Sequence, residues 1–344
     1  MVLLTWGFTN PRTAKTATGL LRFCPEECVA VFDPDLAGKT SAEILEVERN
    51  VPIVSSLSDV PHADTLVIGI APPGGKLPPP WRPVLMDAIE RGMNVLSGMH
   101  DFLSDDQEFA TAAAKHGVQL TDVRKNDFQE IANRPGFRSE CCRLHTVGHD
   151  CSVGKMLVSL ELSRGLEKRG LDSHFIGTGQ TGIMVSGDGL PIDCIKSDFV
   201  SGAVEQLVVN NQHHDILVIE GQGSVVHPSY SAVTLGLLHG CQPHGLIFVF
   251  EAGRKNVGGM DHVELPGLAE QRKLFETMAS IYQGCETIAV AMNGRFLSPV
   301  EANKIAVQVE DELNLPVVDV IRDGPDRLLD VAETFYHSGN WRTF

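Results

Sequence analysis

Short apolar runs typical of strands alternate along the chain with longer runs typical of helices. In the first part of the chain the strand-like runs are VLLTWG, CVAVFDP, DTLVIGIA and MNVLSG. The alternation restarts after a polar stretch that contains Pro135 and Gly136. Strands joined through helices predict parallel sheets, because a parallel connection has to cross over the sheet. We therefore predict an α/β fold with two domains, residues 1–138 and 139–344.

The charge balance excludes two classes of partner. The formal net charge is -16, whereas nucleic acids and anionic membranes both need basic protein surface. The sequence has no apolar run long enough to span a bilayer, and its beginning does not resemble a secretory signal. Its eight cysteines lack the paired spacing of a zinc site. We therefore expect a cytoplasmic protein that binds a small molecule, with no nucleic acid, no membrane and no metal site.

The first domain has the strand pattern of a dinucleotide-binding fold without its glycine fingerprint. CVAVFDP ends at Asp33, where such folds place an acid that binds ribose hydroxyls. The first strand, however, leads into WGFTNPRTAKT, which has only Gly7 and lacks G-x-G-x-x-G. We predict a Rossmann-like domain without NAD, in which Asp33 forms a turn and caps a helix. Arg12 and Lys15 are either anion-binding residues or solvated surface charges.

The second domain opens with a glycine-rich loop, GHDCSVGK, between a predicted strand and a predicted helix. The N–H groups of such a loop, together with the helix dipole, favour a phosphate. The loop is one residue longer than G-x-x-x-x-G-K-[ST], and in this it is similar to the loop of the dethiobiotin synthetase group. We therefore predict a P-loop NTPase-like domain. Its candidate cofactor-binding residues are Gly148, His149, Cys151, Ser152, Val153, Gly154, Lys155 and Met156.

Met156 occupies the position at which the usual loop carries a serine or threonine. A thioether is a poor ligand for Mg²⁺, which prefers oxygen, and phosphoryl transfer depends on that ion. The substitution therefore favours binding of a phosphate group without phosphoryl transfer and with no metal required. ATP with Mg is the alternative ligand. Asp150, inside the loop, is a candidate for binding a metal or accepting a substrate proton, or else it caps the helix.

Other candidate residues follow predicted strands, at the sheet edge where open α/β folds bind ligands. Glu220 ends the strand DILVIEG beside the loop, and apolar surroundings would raise its pKa into the range of a general base. His227, in the next loop, is a catalytic candidate or a turn histidine. The candidate substrate-binding residues share polar side chains near strand ends: Gln180, Thr181, Gln222, Ser224, Tyr230 and Arg254.

Several longer segments together resemble one family along nearly the whole chain. IGIAPPGG, LSGMHDFLSDD, VGHDCSVGKM, TGQTGIM and HPSYSAVTLGLLHG are similar to its recurring segments. The family was long catalogued as predicted NAD-dependent epimerases or dehydratases, and members are now described as D-glutamate N-acetyltransferases that use acetyl-CoA in D-glutamate breakdown. The resemblance implies an N-terminal Rossmann-like domain followed by a C-terminal P-loop domain, with GKM as the family's own version of the loop.

The resemblance also implies a chemistry, acetyl transfer from acetyl-CoA to the amino group of an acidic amino acid, D-glutamate. The loop and Lys155 would bind the diphosphate of CoA, and Glu220 or His227 would accept the amine proton. Side-chain amides or hydroxyls would polarise the thioester carbonyl, and the glutamate carboxylates would be bound by Arg254, Arg12 or Lys15. These roles fall on residues that the strand-end positions already single out.

Several alternatives remain open from the sequence. Cys151 lies at a helix N-terminus, where a thiolate is favoured, so an acetyl-cysteine step is one of them. An ATP- and Mg-dependent ligase or kinase-like enzyme related to dethiobiotin synthetase is the second, and a binding protein without turnover is the third. By analogy with related P-loop folds we expect a homodimer.

Overall fold

The structure is a computed structural model that describes residues 1–72 and 74–343. The chain divides into two compact units. The first comprises Met1–Asn126 with Ile183–Gly187, and the second comprises Asp127–Gly182 with the described residues from Asp188 onward. The second unit thus begins at Asp127, whereas the sequence places the boundary between residues 138 and 139. Both units have the predicted α/β architecture.

The first unit is built on a parallel sheet of six described strands in the order β3-β2-β1-β4-β5-β6. The strands are β1 (Val2–Leu4), β2 (Ala30–Phe32), β3 (Ile53–Val54), β4 (Thr65–Ile68), β5 (Asn94–Ser97) and β6 (Leu120–Asp122). The helices are α1 (Lys15–Phe23), α2 (Ser41–Leu45), α3 (Arg82–Glu90) and α4 (Gln107–His116). Every residue of β1 and β2 is buried, as expected for parallel strands covered on both faces.

Asp33 follows β2 and is buried. Its carboxylate accepts the N–H groups of Asp35, at 3.1 Å, and Gly7, at 3.3 Å, together with the hydroxyl of Thr9. The side chain therefore forms and caps the turn after β2, as predicted. It also holds the loop after β1 through Gly7 and Thr9. In a dinucleotide-binding fold this acid would bind ribose hydroxyls, whereas the Asp33 carboxylate accepts hydrogen bonds from the protein itself.

The second unit has a parallel sheet in the order β14-β13-β10-β7-β9-β8, again six described strands, and a small antiparallel hairpin. The strands are β7 (Cys142–Gly148), β8 (Ser173–Ile176), β9 (Ile216–Ile219), β10 (Gly245–Glu251), β11 (Asn256–Val257), β12 (Met260–Glu264), β13 (Glu286–Asn293) and β14 (Val317–Val318). The helices are α5 (Lys155–Lys168), α7 (Val200–Asn211), α8 (Ser231–Cys241), α9 (Leu268–Ala279), α10 (Pro299–Leu313) and α11 (Asp326–Ser338). Helix α6 (Gln180–Ser186) begins in this unit, and its residues from Ile183 onward belong to the first unit.

Strand β7 lies in the middle of this sheet, and all seven of its residues are buried. Gly148 at its end pairs with Val249 of β10, and Ile219 at the end of β9 pairs with Ile176 at the end of β8. Because all these strands are parallel, their carboxyl ends meet at one edge. The loops that leave this edge carry most of the candidate residues.

Within residues 1–72 and 74–343, no helix is both long enough and apolar enough to cross a membrane.

Candidate functional site

The loop between β7 and α5 forms a cradle of backbone N–H groups. Gly154 has a φ of +115°, and Ser152, at +57°, adopts a left-handed conformation that is uncommon for a residue with a side chain. The N–H groups of residues 152–156 donate no hydrogen bond to any described part of the chain. Such a run of unpaired donors at the start of a long helix is a site for an anion.

Lys155 lies buried inside the loop. Its Nζ donates to the carbonyl oxygen of Asp150 at 2.8 Å. A Cβ on Gly148 would approach this Nζ to 2.9 Å, and a Cβ on Gly221 would approach the Lys155 side chain to 3.1 Å, so both glycines make room for the lysine. Burial lowers the pKa of Lys155 to about 8. The ammonium is therefore held next to the unpaired N–H groups at a high desolvation cost, which an anionic ligand would offset.

The loop lacks the hydroxyl that usually follows the lysine and binds magnesium. Met156 is in the first turn of α5, where the usual loop has its serine or threonine. The neighbouring hydroxyls bond within the protein: Ser159 donates to the Lys155 carbonyl, at 2.9 Å, and lies 2.8 Å from the Thr146 hydroxyl. Thr146 in turn accepts the N–H of Gly221 at 3.0 Å. The residues present thus fit a phosphate group better than they fit a phosphate-bound Mg²⁺.

Asp150 ties the loop to the rest of the site. Its carboxylate accepts the N–H groups of Cys151 and Gly258, both at 2.7 Å, and the Arg254 guanidinium at 2.8 Å. Burial raises the pKa of Asp150, but the hydrogen bonds from Arg254 and the two N–H groups outweigh it and hold the pKa below its usual range. Asp150 is therefore ionised and fully engaged, which suits an anchor of the loop better than a proton acceptor.

Arg254 is shared between two carboxylates. Besides its bond to Asp150, it donates to Glu251 at 3.0 Å and to the carbonyl of Cys151 at 2.8 Å. Its side chain is 18% exposed. These hydrogen bonds come from Nε and Nη1, so Nη2, which lies 3.0 Å from Glu251, is the part of the guanidinium for which a substrate carboxylate would compete.

His227 is fixed by hydrogen bonds at both ring nitrogens. Its Nδ1 accepts the N–H of Ser229 at 3.1 Å, and its Nε2 lies 3.2 Å from the carbonyl of Gly258. This pairing assigns the proton to Nε2 and leaves no lone pair for a substrate proton. The ring contacts that of Tyr230 in a tilted arrangement, with 4.5 Å between the ring centroids, and Tyr230 itself is exposed. The arrangement agrees with the turn histidine that the sequence left as the alternative.

Asp150, Cys151 and His227 bring their ligand atoms within 4.8 Å of one another, a spacing that could hold a metal ion. Arg254 already neutralises the Asp150 carboxylate, so a cation there would face a guanidinium. Burial raises the pKa of Cys151, and the charge of Asp150 adds to the effect. The expectation of a thiolate-favouring position is therefore wrong, because burial and the charge of Asp150 outweigh the nearby charges of Lys155 and Arg254.

Glu220 directly follows β9, which lies on the side of β7 opposite to β10. Its Oε2 accepts the N–H groups of Thr178 and Gly179 at 2.8 Å and 3.0 Å. The residue is 5% exposed. Burial raises the pKa of Glu220 to about 7, although the two N–H groups and the charge of Lys155 act in the opposite direction. A carboxylate in this range can exchange a proton near neutral pH.

The remaining candidates are Gln222, Gln180, Thr181 and Ser224. Gln222 donates through Nε2 to the carbonyl of Thr178 at 2.5 Å, so it belongs to the same loop cluster. Gln180 and Thr181 begin α6 and are buried. Ser224 is fully buried, and its hydroxyl accepts the N–H of Val226 at 3.4 Å.

His149 is buried against Phe250, and neither ring nitrogen has a partner within the described residues. Burial lowers the pKa of His149 to about 4, and the nearby charge of Arg254 contributes. The imidazole is therefore neutral and keeps one donor and one acceptor unused. Buried polar groups of this kind are rare unless a ligand or water completes them.

The sequence reasoning missed two residues that shape the site. Gly258, at the tip of the hairpin formed by β11 and β12, bonds both Asp150 and His227. Asn293, at the end of β13, donates from Nδ2 to the loop carbonyl of Val153 at 3.1 Å. The adjacent glycines Gly258 and Gly259 between two short strands are a hairpin signal, but nothing in the sequence indicates which loop the hairpin meets.

Two family profiles match consecutive parts of the chain. One is described as a domain of unknown function, DUF1611, Rossmann-like domain, and matches residues 34–126. The other is the DUF1611 P-loop domain, which matches residues 130–329.

Individual proteins match over longer stretches. D-glutamate N-acetyltransferases from Pseudoalteromonas sp and Tritonibacter scottomollicae are 37% and 40% identical to the chain, in each case over 78% of the chain and 80% of the relative. The crystal structure of a DUF1611 family protein from Anabaena variabilis is 37% identical and has a TM-score of 0.90, covering 97% of this chain and 98% of that one.

Proposed function

Since the chain belongs to the DUF1611 family, we propose that it is an N-acetyltransferase that transfers the acetyl group of acetyl-CoA to the amino group of an acidic amino acid, D-glutamate. Two relatives that it matches over most of their length carry the name of that activity. The observation that carries the proposal is the pairing of two features. A phosphate cradle with Met156 at the position of the usual magnesium hydroxyl lies beside Glu220, whose pKa is about 7.

The cradle suits the diphosphate of CoA. Unpaired N–H groups of the loop would donate to its oxygens, and Lys155 would supply the positive charge. The conformations of Ser152 and Gly154 keep the donors on one side without a metal ion. Binding a carrier through its diphosphate requires no phosphoryl transfer, which agrees with Met156.

The chemistry needs an amine in its neutral form and an acceptor for its proton. The amine nitrogen forms a bond to the thioester carbonyl carbon, the carbon–sulfur bond breaks, and the thiol leaves with a proton. Glu220 is the group suited to accept the amine proton, because its ionised form is available near pH 7. Gln180, Thr181 and Gln222, around the same loop, are the candidates for polarising the carbonyl.

The acceptor carboxylates require a cation. Arg254 remains the predicted ligand, and we propose that a substrate carboxylate replaces Glu251 as its partner while Asp150 keeps its own bond. Exchange of one carboxylate for another keeps the guanidinium neutralised in both states.

The test is a thiol-release assay with acetyl-CoA and D-glutamate in the presence and absence of a chelator. We expect thiol release that is unchanged by the chelator and an N-acetylated product by mass spectrometry. An ATP-dependent ligase or kinase-like enzyme would instead release ADP and stop when the metal is removed. Lack of thiol release over a prolonged incubation would contradict acetyl transfer.

A second expected outcome concerns His149. Replacing an unpartnered buried imidazole with an apolar side chain is neutral or stabilising for the free protein, whereas losing a bond to the ligand costs roughly tenfold in kcat/KM. His149→Leu should therefore keep or raise the melting temperature and lower kcat/KM. His239→Leu is the matched control, because its Nε2 is also buried and unpartnered in the described structure but it lies on α8. Unchanged kinetics in His149→Leu would assign this imidazole to packing alone.

A further inference from the structure

The segment after β13 borders the phosphate cradle. Asn293, the last residue of β13, reaches the loop through its bond to the Val153 carbonyl, and a Cβ on Gly154 would lie 3.9 Å from the same amide nitrogen. The Asn293 side-chain oxygen also accepts the N–H of Arg295 at 3.3 Å. The residues that follow β13 therefore start at the rim of the loop.

An exposed cation and an exposed ring lie side by side on this segment. The guanidinium of Arg295 is 4.3 Å from the centroid of the Phe296 ring, and Phe296 is 68% exposed. Arg295 has no carboxylate partner among the residues that the structure describes. The nearby Arg322, by contrast, is used internally and donates to the carbonyls of Gly294 and Leu297. Arg295 thus lies beside an anion site and has no acidic partner among the described residues. In a chain of net charge -16, such an arginine is suited to bind a phosphate of the ligand.

The sheet order places this pair opposite the proposed base. From β7 and its loop, β10 and then β13 follow on one side, whereas β9 and then β8 follow on the other. Arg295 and Phe296 follow β13, and Glu220 follows β9. A carrier whose diphosphate occupies the loop therefore has a cationic, aromatic end on one side of it and a carboxylate on the other.

We propose that Arg295 and Phe296 form the subsite for the nucleoside end of CoA, with Arg295 binding the phosphate on its ribose 3′ position. This inference rests on the proposed function. The purine would stack on the surface formed by the Phe296 ring and the Arg295 guanidinium, and the guanidinium would donate to the 3′-phosphate. The reverse orientation would put that phosphate next to Glu220, where like charges repel. The acyl arm is therefore directed toward Glu220, and the 3′-phosphate becomes the feature that distinguishes CoA from ATP.

The test compares CoA with 3′-dephospho-CoA by calorimetry on the full chain. We expect the parent protein to bind CoA about tenfold more tightly, the range of a hydrogen bond to a charged group. Arg295→Met should reduce this preference to about one by weakening CoA alone. Arg342→Met is the matched control, because Arg342 also lies over a ring, that of Trp341, which contacts His244 just before the amino end of β10. The control should retain the parent's preference.

The outcomes separate this inference from the function on which it rests. The 3′-phosphate would bind elsewhere if Arg295→Met kept the parent's preference for CoA, or if its affinity for both ligands fell equally. The same conclusion would follow if the parent protein bound both ligands with equal affinity. Each of these three results leaves CoA bound by the parent protein and the acetyltransferase proposal intact. Absence of CoA binding by the parent protein would overturn both.

Discussion

Glu220→Gln is expected to lower kcat for acetyl transfer roughly a thousandfold, the middle of the range for losing a general base. The substitution keeps the size of the side chain, and its amide oxygen can still accept the N–H groups of Thr178 and Gly179. KM for acetyl-CoA should stay within about threefold, because Glu220 acts on the amine and is not expected to bind the carrier. Steady-state kinetics with both substrates provide the measurement.

The pH profile identifies the group that is lost. In the proposed mechanism the base is the ionised form of Glu220, so kcat/KM of the parent protein should rise with pH through about 7. The charge of Lys155, which helps to bind the carrier, is present below about pH 8, so kcat/KM should fall above that value. In Glu220→Gln the acid limb should disappear while the alkaline limb remains.

The control for this variant is Glu312→Gln, an exposed acid on α10. It should match the parent protein in kcat and in both limbs of the profile. A Glu220→Gln protein that keeps its activity, or that keeps the acid limb unchanged, would move the proton acceptor to another residue.

Lys155→Met should strongly weaken the response of the protein to CoA. The parent protein should melt at a higher temperature when CoA is present, because a ligand that binds only the native form stabilises it by mass action. Loss of the ammonium removes the main positive charge from the cradle, and we expect affinity to fall roughly a hundredfold. Thermal-shift titration and kcat/KM for acetyl-CoA measure the two effects.

The melting temperature of the free variant separates folding from binding. Methionine fills a similar volume without the desolvation cost of a buried charge, so Lys155→Met should be at least as stable as the parent when no ligand is present. Lys168→Met, at the exposed end of the same helix, is the matched control and should respond to CoA normally. A normal response in Lys155→Met would mean that the loop is a structural turn.

The sequence predicts best those parts of the site that depend on local spacing. The α/β class and the loop before α5 are read from short-range patterns: apolar runs, glycine positions and a lysine at a helix start. The turn and cap formed by Asp33 follow in the same way from an acid at a strand end. These features need no knowledge of which distant residues come together.

The features that the sequence left undetermined depend on long-range contacts. Asp150 is a structural anion because Arg254 and Gly258, more than a hundred residues away, bond to it. The raised pKa of Cys151 follows from burial and the charge of Asp150, which spacing does not indicate. The fixed tautomer of His227 depends on a hairpin carbonyl that arrives from another part of the chain.

The close fit of Gly221 has a consequence for how such a protein can diversify. A Cβ at this position would lie 1.7 Å from the Thr146 carbonyl oxygen, so the backbones of the two strand exits are in direct contact. The separation between the loop after β7 and Glu220 is thus set by main-chain contact. Under the proposed function, acceptor preference could drift through Gln222 and Tyr230 over evolutionary time, or be altered by design, while the spacing between the acetyl donor and the proposed base is inherited intact.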